Sequence, residues 1–189
     1  MSDLYKVAII GSGPAGLSAA ARAAALGVDH VLLEKTNHLS DTIFKYQKGK
    51  HVMATPSNLV LRSDFDFAAG KREAILGTWD EQAESQGINV KLDAEIVEVT
   101  GEKGDFTLTL KNGETVRAEA IVLAIGTQGN PNKLRCPGAD SPMIQYQLDD
   151  PGEYYDEHIT VVGSGDAGIE NALGLAADDA QRNVVTILN

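Results

Sequence analysis

Residues 4–34 read LYKVAIIGSGPAGLSAAARAAALGVDHVLLE, and this stretch decides the fold. Leu4 to Ile10 is a short, apolar, β-rich run ending at Gly11, the pattern of a strand buried on both faces of a parallel sheet. Pro14 to Leu26 holds seven alanines and stops at Gly27, which predicts a helix whose small side chains lie close against that sheet. His30 to Leu33 is a second apolar run leading to Glu34, so the segment predicts one β-α-β unit. Between the first strand and the helix stand Gly11, Ser12, Gly13, Pro14, Ala15 and Gly16. Gly11 permits a tight turn, Gly13 lets a backbone approach a pyrophosphate, and Gly16 allows close helix-sheet packing. The helix N-terminus adds unpaired N–H groups and a positive dipole end. Glu34 follows Gly11 by 23 residues, where a carboxylate can accept hydrogen bonds from both ribose hydroxyls of an adenosine. The same glycines also fit a purely structural turn, but the strand before them and the helix after them favour a dinucleotide site.

Working outward, residues 36–63 lack a regular pattern and read mostly as loop around at most one short helix. Asp64 to Gln86 reads as a helix through Phe67, Ile75, Leu76, Trp79 and Ala83, closed by Gly87. Ile88 to Leu92, Glu95 to Thr100 and Phe106 to Leu110 alternate as strands; Asn112-Gly113 supplies a hairpin turn and Thr115 to Ile125 returns as a strand. Antiparallel pairing is expected here after the parallel start. GTQGNPNKLRCPGADSP (126–142) carries three Gly and three Pro, the composition of an interdomain linker. The β-α-β pattern then begins again, with strand 159–162, helix 166–177 and strand 184–188 around Gly163, Ser164, Gly165, Asp166, Ala167 and Gly168. The expected division is a first domain over 1–128, and a linker with the start of a second domain over 129–189.

Composition limits the partners. Of 189 residues, 27 are Asp or Glu and 16 are Lys or Arg, a formal charge of −11, which disfavours nucleic acid and anionic membranes. A hydrophobic fraction of 43% is enough for a core. The single cysteine, Cys136, excludes an intramolecular disulfide and a cysteine zinc cage within these residues, and His30, His38, His51 and His158 form no spaced ligand motif. No apolar run approaches the roughly 18 residues of a membrane span, and no signal-like N-terminus is present, so a cytoplasmic location is expected.

The Pro-Ala-Gly turn, the glutamate, the Ala-rich helix, the run Ile121 to Gly126 (IVLAIG) and the second motif VVGSGDAGIENA (161–172) occur in a telling order. Together they resemble the pyridine nucleotide-disulfide oxidoreductase superfamily, and its thioredoxin-reductase-like branch in particular. The resemblance implies an α/β, Rossmann-like FAD/NAD(P)-binding fold: a parallel sheet with a three-stranded antiparallel insert, and a second dinucleotide-binding domain that is incomplete here. It implies that Gly11, Ser12, Gly13, Pro14, Ala15 and Gly16 hold the FAD pyrophosphate, with Glu34 at the ribose and Lys35 near the adenine. Ala124 and Gly126 pass near that cofactor. Gly163, Ser164, Gly165, Asp166, Ala167 and Gly168 hold NAD(P)H, and Glu170 lies toward the nicotinamide or is an ordinary helix carboxylate. Lys45, Lys48, Lys50 and His51 fall in the loop where this superfamily approaches the flavin, or form a solvated loop.

The redox cysteines of the superfamily's disulfide reductases have no counterpart in residues 36–57 or before the second glycine motif. The implied activity is therefore NAD(P)H-dependent flavin oxidoreduction without a local dithiol and without an indispensable catalytic side chain. Electrons would pass to an external small-molecule or protein acceptor. The alternatives are an FAD/NAD(P)-binding or sensing module without turnover, an inactive fragment of such an enzyme, and, further off, a flavin monooxygenase. The missing returning segment of the first domain leads to the expectation of a truncated chain, which when longer would be compatible with a homodimer.

Overall fold

A computed structural model of the chain describes residues 4–54, 62–127, 129 and 132–189. Residues 55–61 of the predicted loop and positions 128, 130 and 131 of the predicted linker lie outside the described residues. The chain divides into two compact units, the first formed by 1–44 and 51–130, the second by 45–50 and 131–189.

The first unit opens with β1 (Leu4–Ile10), α1 (Pro14–Ala25) and β2 (His30–Leu33). Both strands run parallel, with Ile10 opposite Leu33. β2 is buried throughout, whereas β1 is buried only at Ala8 and Ile9 and exposes Leu4 and Lys6. The expectation of a strand buried on both faces thus holds for Ala8 and Ile9 and not for the start of β1. That helix buries Gly16, Leu17, Ala20, Ala21 and Ala23, the small-residue face that lets it sit low on the sheet. Gly27, at φ +63°, ends it: the N–H groups of Gly27 and Val28 donate to the carbonyls of Ala24 and Ala23, a Schellman closure.

Next come α2 (Asp41–Phe44), β3 (His51–Val52), β4 (Gly70–Lys71) and α3 (Arg72–Ser85). α3 begins eight residues later than its periodicity suggests. The Ser63 hydroxyl accepts the N–H of Phe65, the Asp66 carboxylate accepts that of Ala68, and Gly70 pairs with Val52, so local turns and a short ladder consume the backbone first. Phe67 lies off the helix yet packs on its Trp79, with ring centroids 5.2 Å apart. Gly87 closes α3 as Gly27 closes α1, through bonds from Gly87 to Glu84 and from Ile88 to Ala83.

β5 (Val90–Lys91), β6 (Ile96–Glu102), β7 (Asp105–Leu110) and β8 (Thr115–Leu123) complete a six-stranded sheet ordered β5-β2-β1-β8-β7-β6. β5 is parallel to β2, so the segment 88–92 extends the parallel edge and does not join the antiparallel strands. β6, β7 and β8 form the antiparallel part, and β8 also pairs parallel to β1. On one face Ala8, Val31, Leu33, Leu108, Leu110, Val116 and Ala118 make a contiguous core.

The second unit contains β9 (His158–Val162), α4 (Asp166–Leu175) and β10 (Val184–Leu188), with the two strands parallel. Among the described residues no helix is long and apolar enough to cross a membrane. Leu108 is fully buried, so Leu108→Ala should lower the stability of the first unit by about 2–5 kcal/mol. Urea unfolding followed by the fluorescence of Trp79, the sole tryptophan, checks this.

Candidate functional site

Each unit builds the same turn. In the first, the N–H of Gly11 donates to the carbonyl of Leu33 at 2.8 Å; in the second, that of Gly163 donates to Leu188 at 2.7 Å. Gly11 and Gly163 have φ +99° and +106°, a region that favours glycine. A Cβ on Gly16 would collide with the carbonyl oxygen of Gly11, and one on Gly168 with that of Gly163. Gly13 and Gly165 cap the helices in matching extended conformations, φ −69° and −74°, and accept the N–H of Leu17 and Ile169 at 2.9 and 3.0 Å. A Cβ at Gly13 or Gly165 would meet nothing of the protein within 4 Å. The chain's own packing therefore explains the outer glycines of each motif. The middle glycine keeps an open approach to the first-turn N–H groups, which have no intrahelical acceptor.

The two turns are filled differently. In the first, Ser12 donates its N–H and hydroxyl to one oxygen of Glu34, at 3.0 and 2.5 Å. The N–H of Thr36 reaches the other oxygen at 3.1 Å. The Thr36 hydroxyl lies 3.2 Å from that oxygen and 2.9 Å from the His38 carbonyl. Its single hydrogen serves one of them, and the shorter contact is to His38. Glu34, only 5% exposed, thus organises the turn from within and keeps acceptor capacity on one oxygen. Ser40 completes the network: its N–H donates to the Ser12 hydroxyl, and its own hydroxyl donates to the Ser12 carbonyl, both at 2.9 Å. It is buried at φ +56°.

In the second turn Asn189 occupies the place of Glu34, and its amide oxygen accepts the hydroxyl of Ser164 at 2.7 Å. Both residues are exposed. Asp166 opens α4, while the first turn of α1 has no acidic residue. Glu170, one turn further on, pairs with Lys50 at 2.6 Å.

Ala124 also joins the first turn: its N–H donates to Ile10, its carbonyl oxygen would lie 2.5 Å from a Cβ on Gly11, and its methyl would lie 3.4 Å from one on Gly16. Gly126 is exposed with open space around it, and Lys35 reaches outward to Asp41 at 3.8 Å. Lys48 and Lys50 find their partners in the second unit, at Asp150 and Glu170. The Lys48 ammonium, with help from the Gly152 N–H, holds the Asp150 carboxyl below the usual carboxylate range. Beside the loop after β2, burial raises the Asp80 carboxyl and nearby His38 partly offsets this.

The family described as pyridine nucleotide-disulphide oxidoreductase matches over residues 8–188. The ferredoxin–NADP reductase of Ignicoccus hospitalis is 30% identical over 178 residues, which cover 94% of this chain and 54% of that relative. Bacillithiol disulfide reductase Bdr (YpdA) from Staphylococcus aureus has a TM-score of 0.83 at 24% identity, over 99% of this chain and 57% of its own. Thioredoxin reductase from Lactococcus lactis has a TM-score of 0.71 at 21% identity, over 97% and 55%. At those identities the two structures share the fold. The chain spans about half the length of the curated relatives it matches.

The different duties of the glycines are separable. Gly16→Ala should cost about 4 kcal/mol or more, because its methyl meets backbone, and Gly13→Ala should stay within about 0.5 kcal/mol of the parent. Urea unfolding without added nucleotide, read by Trp79, tests both.

Proposed function

Because the chain belongs to the pyridine nucleotide-disulphide oxidoreductase family, we propose that it carries the two dinucleotide sites of an NAD(P)H-dependent flavoprotein oxidoreductase. FAD is assigned to the first motif and NAD(P)H to the second. The observation that carries this reading is the duplicated turn, with its open middle glycine in both copies. The residues fit such cofactors: each turn offers unpaired first-turn N–H groups to a pyrophosphate, and Glu34 keeps one acceptor position for a ribose hydroxyl. FAD held there would supply the redox chemistry, while the protein would supply position and electrostatics. In this reading Gly11, Ser12, Gly13, Ala15, Gly16, Glu34 and Ala124 hold the first cofactor. Gly163, Ser164, Gly165, Ala167 and Gly168 hold the second. The relatives' name, ferredoxin–NADP reductase, favours an external acceptor. The single, exposed Cys136 is consistent with electron transfer that uses no dithiol from these residues.

Asn189 adds a preference. A carboxylate at the end of the second strand repels a 2′-phosphate, and the neutral amide here does not, which favours NADPH over NADH.

The full-length protein, purified without added cofactor, should retain a flavin whose visible absorbance bleaches with NADPH. A preparation that binds no flavin and oxidises no NAD(P)H with an artificial acceptor would sink the proposal. Asn189→Glu should cut the preference for NADPH over NADH roughly tenfold, as seen in kcat/KM for both nucleotides with one acceptor.

A further inference from the structure

We infer that Lys50 is a positioning residue of the second nucleotide site: it holds and neutralises the Glu170 carboxylate, and so sets how strongly that site binds an anionic nucleotide. This rests on the reading of the second motif as an NAD(P)H site. The duplication allows the two sites to be compared position by position. Pro14 corresponds to Asp166 and Ser18 to Glu170. In the first unit the Ser18 hydroxyl bonds that of Ser63 at 2.8 Å, and α1 carries no acid in its first turn. In the second, Asp166 and Glu170 place two carboxylates on the first turns of α4. Negative charge there lowers the positive potential that an anionic ligand meets at a helix N-terminus. The first site is therefore built for firm retention, and the second would be weak without compensation.

Lys50 supplies that compensation and arrives already oriented. Its Nζ lies 2.6 Å from Glu170 and 4.7 Å above the ring of Tyr46. Its side chain is 16% exposed, against 44% for Glu170. The segment 45–50 is docked on the second unit at three further points. The Lys48 N–H donates to Asp149 at 2.7 Å, and its ammonium to Asp150 at 2.9 Å. Gln47 lies against Gly174, where a Cβ would stand 3.3 Å from its side-chain nitrogen. Gly174 and Glu170 are four residues apart, on one face of α4. An exposed, freely rotating pair contributes little because ordering it opposes the attraction. Here the ring and the docked segment have already ordered the lysine.

The test measures dissociation constants of NADP⁺ for the full-length protein by calorimetry. The variants are Lys50→Met, Lys50→Arg, Glu170→Gln and the Lys50→Met/Glu170→Gln double, with nucleotide-free thermal unfolding as the structural control. Lys50→Met should raise the dissociation constant roughly five- to tenfold at low ionic strength, with the effect shrinking as salt is added. Lys50→Arg should restore most of the affinity, and in the Glu170→Gln background the loss of Lys50 should change it less than about twofold. The inference is overturned if nucleotide still binds but Lys50→Met has no effect, or if the loss is as large beside Glu170→Gln. It is also overturned if affinity follows unfolding temperature and arginine does not rescue it. A parent protein that binds neither NADP⁺ nor NAD⁺ overturns the site assignment itself and this inference with it.

Discussion

In each unit the first turn of a helix rides directly on the carbonyl of the glycine that ends the preceding strand, and everything else at that end of the sheet is arranged around this approach. The absent methyl at Gly16, and at Gly168, sets how deep the helix lies. Once α1 lies that low, only small side chains fit beneath it, which is why its inward face is Gly16, Ala20, Ala21 and Ala23 around a single leucine. The approach also aims the helix N-terminus at the end of the strand. The second strand locks the turn by accepting the glycine N–H, through Leu33 in one unit and Leu188 in the other. Three backbone segments thus converge on one point in each unit without any side chain being required there.

That shared frame carries two different polar fillings. Glu34 is buried, and a buried carboxylate is tolerable only when donors satisfy it. Ser12 and Thr36 supply those donors, and Ser40 holds Ser12 in place from a left-handed backbone conformation. The second copy leaves its serine and asparagine exposed and places its charges on α4. The first turn is wired internally by side chains, while in the second the hydroxyl of Ser164 bonds the side chain of Asn189. The ion pairs on and beside β6, β7 and β8, such as Lys111 with Glu95 and Arg117 with Asp105, are exposed and add little by comparison.

The parts that could be read in the sequence are those decided by local chemistry. Gly11 and Gly163, and Gly27 and Gly87 as helix stops, act through their own backbone angles, so their neighbours in sequence are enough to identify them. The start of α3 was hidden because Ser63 and Asp66 compete for backbone N–H groups that periodicity alone assigns to a helix. Alternation marked 88–92 as a strand but could not name its partner, and β2 proved to be that partner. Ser40 and Asn189 gave no signal, and Lys50 stood out only as part of a basic loop, because their contacts exist only after distant segments meet. In sequence, KYQKGK is a basic, solvated-looking stretch, and the pairing of Lys48 with Asp150 and of Lys50 with Glu170, a hundred or more positions away, appears only in the fold.

Residues 45–50 belong to the second unit although the chain on both sides of them belongs to the first. The units are therefore not separable modules in the genetic sense. A gene cut in the Gly- and Pro-rich stretch 126–142 would deliver the second unit without the peptide that buttresses α4, and would leave that peptide stranded on the other product. Recombination between relatives faces the same condition: an exchanged second unit keeps its native support only when these six residues, encoded far upstream, travel with it.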